Sequence, residues 1–206
     1  LALKMQRLQA ARAGAVGVEI FSLPQLAARL AGGFARLATS EEVQPAIRAA
    51  LEQGGFAELQ NLTQLPGMVR AVQQTLGAAW CSDTVLDGSV NRRLADLALI
   101  DGVVRSNLAP GVFTPPDLRD KALARIAHAR RLLGSVEIVG LLDIDPVWRP
   151  LVTALAEQTH VTWTAAGATD RRWFKGAVSP PPVAPPITPV AFVCANPQAE
   201  VVEALR

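Results

Sequence analysis

The sequence predicts a helix-rich α/β fold in which an incomplete parallel sheet is interrupted by a block of helices. Residues 135–160 carry a short β-branched strand followed by an amphipathic helix. The start of the chain shows a similar order of helix, strand and helix, the alternation typical of parallel sheets. Residues 40–133, between these two regions, carry almost no strand signal, and a segment of that length is a subdomain rather than a loop.

The first α/β region begins with a predicted helix over residues 1–13 and a predicted strand over residues 16–21. Ser22 to Gln25 resemble a capping box with a proline near the first helical turn. The helix that follows has an apolar stripe formed by Leu23, Leu26, Leu30, Phe34 and Leu37.

The helical block contains four predicted helices, and the second α/β region follows it. The four helices are predicted at residues 41–53, 66–80, 89–104 and 117–133. Strands are then predicted at 136–139, 160–164 and 190–194, with helices at 146–158 and from residue 196 onward. We therefore predict an α/β core from residues 1–39 and 135–206, with a loop and proline-rich linker at 165–189, and a helical insert at 40–134.

The composition allows a folded chain with a substantial core and gives only a weak overall charge. The 206 residues are 50% hydrophobic and 18% charged, which excludes a disordered protein. The net charge is +2, so any nucleic-acid contact requires a local basic patch. Seventeen of the twenty basic residues are arginine, a side chain suited to phosphate, but we attribute most of this bias to a GC-rich genome.

The cysteines, histidines and apolar runs predict neither a metal site nor a membrane segment. Cys81 and Cys194 have no metal or redox spacing and fit two thiols in a reducing compartment. His128 and His160 lie far apart. No apolar run reaches about 20 residues and no secretory signal is visible, so we expect a cytoplasmic protein without a membrane partner.

The sequence lacks a recognisable catalytic motif. The Walker A pattern, which would hold the β- and γ-phosphates of a nucleotide, is absent. The Asp143-Ile144-Asp145 stretch could be a metal-binding DxD motif, but we favour a turn in which Asp145 caps the helix that starts at Pro146. We therefore predict no catalytic residue, no metal ligand and no cofactor.

Two basic segments are candidate DNA contacts. On the predicted helix 117–133, Lys121, Arg125 and Arg131 form a stripe with His128, which is either a solvated face or a phosphate-contact surface. Residues 171–175 mix bases with aromatic rings and either stack on single-stranded bases or anchor a loop by burying the rings. The predicted DNA-binding residues are Arg171, Arg172, Trp173, Lys175, Lys121, Arg125 and Arg131.

Several stretches together resemble the N-terminal half of a superfamily 1 helicase of the UvrD/Rep type. Residues 18–30 resemble its motif Ib, and residues 3–12 resemble the tail of the preceding helix. Residues 139–155 stand where motif II and its helix stand, but Gly140, Leu141 and Leu142 replace the paired acids. The glutamine-bearing loop of motif III is not recognisable in residues 165–170.

This pattern of loss is most similar to the AddB/RexB-type nuclease subunits and related DNA-repair exonucleases. The stretch from Gly140 to Pro146, with Leu151 and Leu155, matches the segment that replaces motif II in them. Residues 195–201 resemble the start of their second motor-like domain. The resemblance implies an incomplete P-loop NTPase-like core with an inactivated ATPase site, and a parent protein that carries a nuclease domain outside this sequence.

The resemblance and the basic segments together predict a non-hydrolysing scaffold from a double-strand-break repair helicase-nuclease. It would bind single-stranded DNA or a duplex end and dock a catalytic helicase-nuclease subunit. The alternatives are an active helicase whose Walker A lies upstream of Leu1, a stand-alone DxD enzyme and a purely structural interaction module. Since both ends of the chain fall within helical patterns, we expect a piece excised from a longer polypeptide.

Overall fold

The structure is a computed structural model that describes Gly14, residues 17–165 and residues 171–180. It is a helix-rich α/β fold with small parallel sheets, which confirms the predicted class at this level. The helices are α1 (Leu23–Leu30), α2 (Ser40–Gln53), α3 (Met68–Cys81), α4 (Arg92–Asn107), α5 (Pro115–Leu123), α6 (Ala129–Leu133) and α7 (Arg149–Gln158). The strands are β1 (Arg36–Leu37), β2 (Val112–Phe113), β3 (Val136–Val139), β4 (Val161–Thr164) and β5 (Ala177–Ser179).

The strands form two parallel sheets. The larger sheet has the order β3-β4-β5, with Ile138 opposite Trp163 and Trp163 opposite Val178. Helix α7 connects β3 to β4, because parallel neighbours need a crossover connection rather than a hairpin. In the smaller sheet β1 pairs with β2, with Arg36 opposite Val112.

Buried apolar side chains form two clusters within the described residues. The α/β cluster joins α1, α5, α7 and the larger sheet, and its fully buried members include Leu30, Leu118, Leu155 and Trp163. The helical cluster joins α2, α3 and α4 through side chains such as Ile47, Leu76 and Ile100. In each cluster, removing apolar side chains from water stabilises the helices and strands that carry them.

The last helices of the predicted insert pack into the α/β cluster. Leu118 and Ala122 of α5 and Ala129 of α6 are buried there, against α1 and α7. The separate helical cluster comprises residues between Val43 and Val104. The domain boundaries at 39/40 and 134/135 stay a prediction. The buried apolar side chains belong to the helical cluster from Val43 to Val104 and to the α/β cluster from Leu118 onward, so this change does not fall at residue 134.

A polar network connects the helical cluster to the start of α5. The indole Nε1 of Trp80 and the Nε of Arg105 each donate to Asp101 at 2.8 Å. Arg105 also pairs with Asp117, and Asp117 accepts a hydrogen bond of 2.6 Å from the buried hydroxyl of Thr114. The network satisfies groups that would be costly to bury alone, and it fixes α5 against α4.

Three predicted elements differ from the structure. The single helix predicted over 117–133 is wrong: α5 ends at Leu123, a 3₁₀ turn follows at Ile126–His128, and α6 is short. No proline or glycine lies between residues 118 and 133, so the sequence gives no sign of this break. The strand predicted over 16–21 is irregular at 18–21, while the predicted loop 165–189 contains β5.

The start of α1 is confirmed but its predicted length is wrong. Ser22 and Gln25 form the expected capping box, in which Ser22 N donates to Gln25 Oε1 at 3.0 Å. The helix ends at Leu30, and Gly32 and Gly33 follow with positive φ angles of 115° and 84°. Phe34 therefore lies beyond the helix and not on its apolar stripe.

Other sequence predictions fall outside the described residues. These are the helix at 1–13, the strand at 190–194, the helix from 196 and most of the proline-rich linker. Among the described helices, none has the length and apolar character needed to cross a membrane.

Candidate nucleic-acid interface

The candidate site begins at the carboxyl ends of the three parallel strands, which meet at one edge of the larger sheet. In open α/β sheets, ligands bind outside this edge. Here β3 leads into Gly140, Leu141 and Leu142, all of them exposed, and then into Asp143. The carboxyl edge of the sheet therefore presents the apolar side chains of Leu141 and Leu142 to solvent, with Asp143 directly after them.

Asp143 is engaged by its neighbours. Its Oδ1 accepts a hydrogen bond of 2.7 Å from the backbone N–H of Ile144. The Nη2 of Arg149 lies 3.3 and 3.4 Å from the two carboxylate oxygens, and the Nε of Arg149 donates to the Ile144 carbonyl at 2.9 Å. Asp143 therefore holds the turn between β3 and α7, and its negative charge is neutralised by a guanidinium.

Asp145 takes a different role from the predicted helix cap. Its side chain makes no capping hydrogen bond, and its backbone carbonyl instead accepts from Trp148 N at 2.9 Å in a 3₁₀ turn that leads into α7. The described residues contain no group of three His, Cys, Asp or Glu side chains that could hold a metal ion. Desolvation, with Asp145 adding a smaller effect, raises the pKa of the Cys81 thiol at the end of α3.

The two aromatic rings of residues 171–175 pack against a third ring, from β4, inside the protein. We define the aromatic cluster as Trp163, Trp173 and Phe174, whose ring centroids lie 5.7 to 5.9 Å apart. Trp163 is fully buried and donates from Nε1 to the carbonyl of Leu141 at 3.0 Å. The guanidinium of Arg149 covers Trp173 at 5.3 Å from the ring centroid, so one arginine connects Asp143 to the aromatic cluster.

This arrangement supports the anchoring role that the sequence left open for residues 171–175. Phe174 is buried and Trp173 is half-buried, so these rings are not presented to solvent as a stacking surface. Arg171 is half-buried over the Trp163 ring at 5.2 Å, while Arg172 is exposed. Lys175 pairs with Glu157 of α7 at 2.6 Å.

The structure separates the members of the other predicted basic stripe. Lys121 lies on α5 with its Nζ 4.7 Å from the centre of the Phe113 ring. Arg125 lies in the break after α5, with its guanidinium against Gly32. Arg131 lies on α6. All three cations are exposed, but they do not share the face of one continuous helix.

Sequence reasoning missed two residues of this region. Arg149 stands between Trp148 and Pro150 and gave no periodic signal, yet it contacts both Asp143 and Trp173. Phe34 was placed on an apolar helix stripe, whereas 97% of its surface is exposed. The two glycines that precede Phe34 are the signal that could have placed it outside the helix.

Comparison of this chain with models of known protein families, with curated proteins and with solved structures finds no match. The function must therefore be argued from the geometry and chemistry of the site.

Proposed function

We propose that this chain is a non-hydrolysing, helicase-like DNA-binding scaffold of the AddB/RexB type that docks a catalytic helicase-nuclease subunit in the cytoplasm. The proposal treats β3, α7 and β4 as the part of a P-loop NTPase-like core that surrounds motif II. The order of these elements and their parallel pairing support it. The run Gly140-Leu141-Leu142 after β3 supports an inactivated ATPase site.

The observation that carries the proposal is the contact between Asp143 and Arg149 at the carboxyl edge of the larger sheet, which we call the strand edge. A motor uses a carboxylate near this point to hold Mg²⁺ beside the nucleotide. Here the guanidinium of Arg149 pairs with the carboxylate of Asp143 and would repel a cation that approached it. We therefore expect no metal-bound nucleotide at this edge of the sheet.

The DNA-binding part of the proposal rests on exposed cations around the α/β cluster. Arg172 and Lys175 lie on one segment, and Lys121, Arg125 and Arg131 lie on another. Arginine presents several N–H donors in a planar fork that matches phosphate oxygens. With so few cations we expect weak, salt-sensitive binding that is stronger for single strands, because flexible strands can follow an uneven surface.

A nucleotide-hydrolysis assay tests the inactivated site. The chain is incubated with ATP and Mg²⁺, with and without single-stranded DNA, and released phosphate is measured. We expect no release above the protein-free control. A DNA-stimulated rate that disappears in Asp143→Ala would contradict the proposal and favour an active motor.

A binding assay tests the DNA contact. Fluorescence anisotropy of a labelled single-stranded oligonucleotide at low salt compares the parent with the double variant R172A/K175A, which leaves Arg171 on the Trp163 ring. The matched control is R48A/R70A, which removes the same charge from exposed positions on α2 and α3. We expect only the first variant to lose affinity. Equal binding by the two variants, or no binding by the parent, would contradict this assignment.

One observation favours a second candidate, a protein-interaction module without DNA binding. Leu141 and Leu142 are adjacent and exposed at the strand edge, at 37% and 68% of their surface. Adjacent exposed leucines are typical of a protein contact. A parent that binds no DNA, together with weaker capture of the catalytic subunit by Leu142→Ser, would favour this candidate.

A further inference from the structure

The fully exposed ring of Phe34 is the least explained feature of the described surface. Phe34 lies between α1 and β1 with 97% of its surface exposed, more than any other large apolar side chain in the described residues. A phenylalanine left in water gives up the stabilisation that burial would provide. The ring therefore does not belong to either buried cluster of the described residues, and it is accessible to a ligand.

The backbone around Phe34 is held firmly although its ring is free of the core. Gly33 N donates to the Ala28 carbonyl at 2.9 Å, and Arg36 N donates to the Gly111 carbonyl at 2.9 Å. A Cβ on Gly111 would lie 2.8 Å from the Phe34 carbonyl oxygen, so the two backbones are in close contact. The ring is thus presented from a fixed base, which reduces the entropy lost when a ligand binds.

Two arginines lie next to the turn that carries Phe34. The Nη1 of Arg125 lies only 2.8 Å from where a Cβ on Gly32 would stand, so its guanidinium packs against the turn that carries Phe34. Arg29, in the last turn of α1, is also exposed. Arg36 forms an ion pair with Glu42. The hydrogen bonds from Arg36, together with one from Thr39 N, lower the pKa of Glu42 to about 2.

We propose that Phe34 stacks on a base of single-stranded nucleic acid while Arg125 contacts an adjacent phosphate. An exposed aromatic ring beside arginines is the arrangement by which proteins bind single strands without sequence preference. A purely apolar partner would leave the neighbouring guanidiniums without an anion, so charge complementarity favours a polyanion. This inference rests on the proposed DNA binding and replaces Trp173, which the structure places in the aromatic cluster, as the stacking residue.

The test separates stacking from charge by using two labelled oligonucleotides of equal length, oligo-dT and a fully abasic strand. Both are titrated by fluorescence anisotropy at low salt with the parent, Phe34→Ala, Phe34→Trp and Arg125→Ala. The matched control is Val85→Ala, which shortens another highly exposed apolar side chain, 84% exposed. The change at Phe34 removes an exposed ring, so we expect it to leave the fold intact, which circular dichroism checks.

Phe34→Ala should weaken binding to oligo-dT by about 5- to 150-fold, which corresponds to about 1–3 kcal/mol for one stacked base. Its affinity for the abasic strand should equal that of the parent. Phe34→Trp should retain binding, Val85→Ala should match the parent, and Arg125→Ala should weaken binding to both strands.

Two results would overturn the inference, and they differ in what they say of the proposed function. If the parent binds oligo-dT and Phe34→Ala binds it equally well, the stacking role is wrong while DNA binding stands. If the parent binds neither strand, DNA binding itself is wrong and the stacking role fails with it. A loss for Phe34→Ala that is equal on both strands also overturns stacking, because the abasic strand has no base to stack.

Discussion

Replacing Arg149 by alanine tests whether one side chain holds the strand edge together. The change removes the hydrogen bond from Nε to the Ile144 carbonyl, the ion pair with Asp143 and the contact over Trp173. The charged hydrogen bond is worth about 1.5–3 kcal/mol, the cation–π contact about 0.5–1, and the largely exposed ion pair at most about 1. Allowing for non-additivity, we expect a loss of about 2–4 kcal/mol in the free energy of unfolding.

Urea unfolding of parent and variant, followed by tryptophan fluorescence and by circular dichroism, measures this loss. Arg149→Lys should lose less, because an ammonium can pair with Asp143 but cannot also cover the Trp173 ring as a planar group. The control Arg48→Ala removes an exposed arginine of α2 and should stay within about 0.5 kcal/mol of the parent. If Arg149→Ala also stayed within that limit, our account of the strand edge would be refuted.

Two further predictions concern the helical cluster and the β5 edge. Asp96 is buried and accepts three backbone hydrogen bonds of 2.8 to 2.9 Å from residues 57–59, so Asp96→Asn should destabilise the chain by about 2–4 kcal/mol in urea unfolding at pH 7. Burial raises the pKa of Asp96, but the three backbone hydrogen bonds together lower it by more than burial raises it. The pKa of Asp96 therefore lies below its ordinary value. The parent should therefore lose this stabilisation as the pH falls from about 4 through the lowered pKa, and a gap between parent and variant that did not shrink there would contradict the assignment. Gly176→Ala would drive a methyl group into the Phe174 ring and to within 2.6 Å of the Val161 carbonyl, and should destabilise by about 1–3 kcal/mol. Gly102→Ala, in open space on α4, should instead stabilise by about 0.5–1 kcal/mol, and similar results for both glycines would argue against close packing at β5.

The sequence predicted best those elements whose local signals agree with their packing. The capping box at Ser22, the strand at 136–139 and the helix before β4 are all present, because propensity and apolar pattern favour the same structure there. The helix over 117–133 failed because its apolar pattern continues across the turn at Arg125: Leu118 and Ala122 before the break and Ala129 after it are buried in the same cluster. Periodicity cannot distinguish one long helix from two short ones with a shared buried face.

The candidate site was harder to predict because its contacts join residues distant in sequence. The aromatic rings at 173 and 174 were recognised, but only the pairing of β4 with β5 brings them against Trp163 and so decides that they anchor the chain. Arg149 similarly gains its role from Trp173, twenty-four residues later in the chain. A basic-aromatic sequence therefore indicates affinity for either a base or a buried ring, and tertiary structure selects between them.

The division of the arginines between internal and external roles leads to a last prediction about salt. Arg105, Arg119 and Arg149 are half-buried and pair with aspartates, so they do not contribute to a polyanion site. If about three exposed cations contact phosphates, log K should fall with log salt with a slope of about −2, given about −0.7 per phosphate on a single strand. Phe34→Ala should lower affinity at every salt concentration without changing this slope, because stacking releases no counterions, whereas Arg125→Ala should reduce the slope by about 0.7. Anisotropy titrations over a range of salt concentrations measure the affinity and its salt slope. A slope that changed in Phe34→Ala but not in Arg125→Ala would show that Phe34 does not act by stacking and that Arg125 does not contact a phosphate.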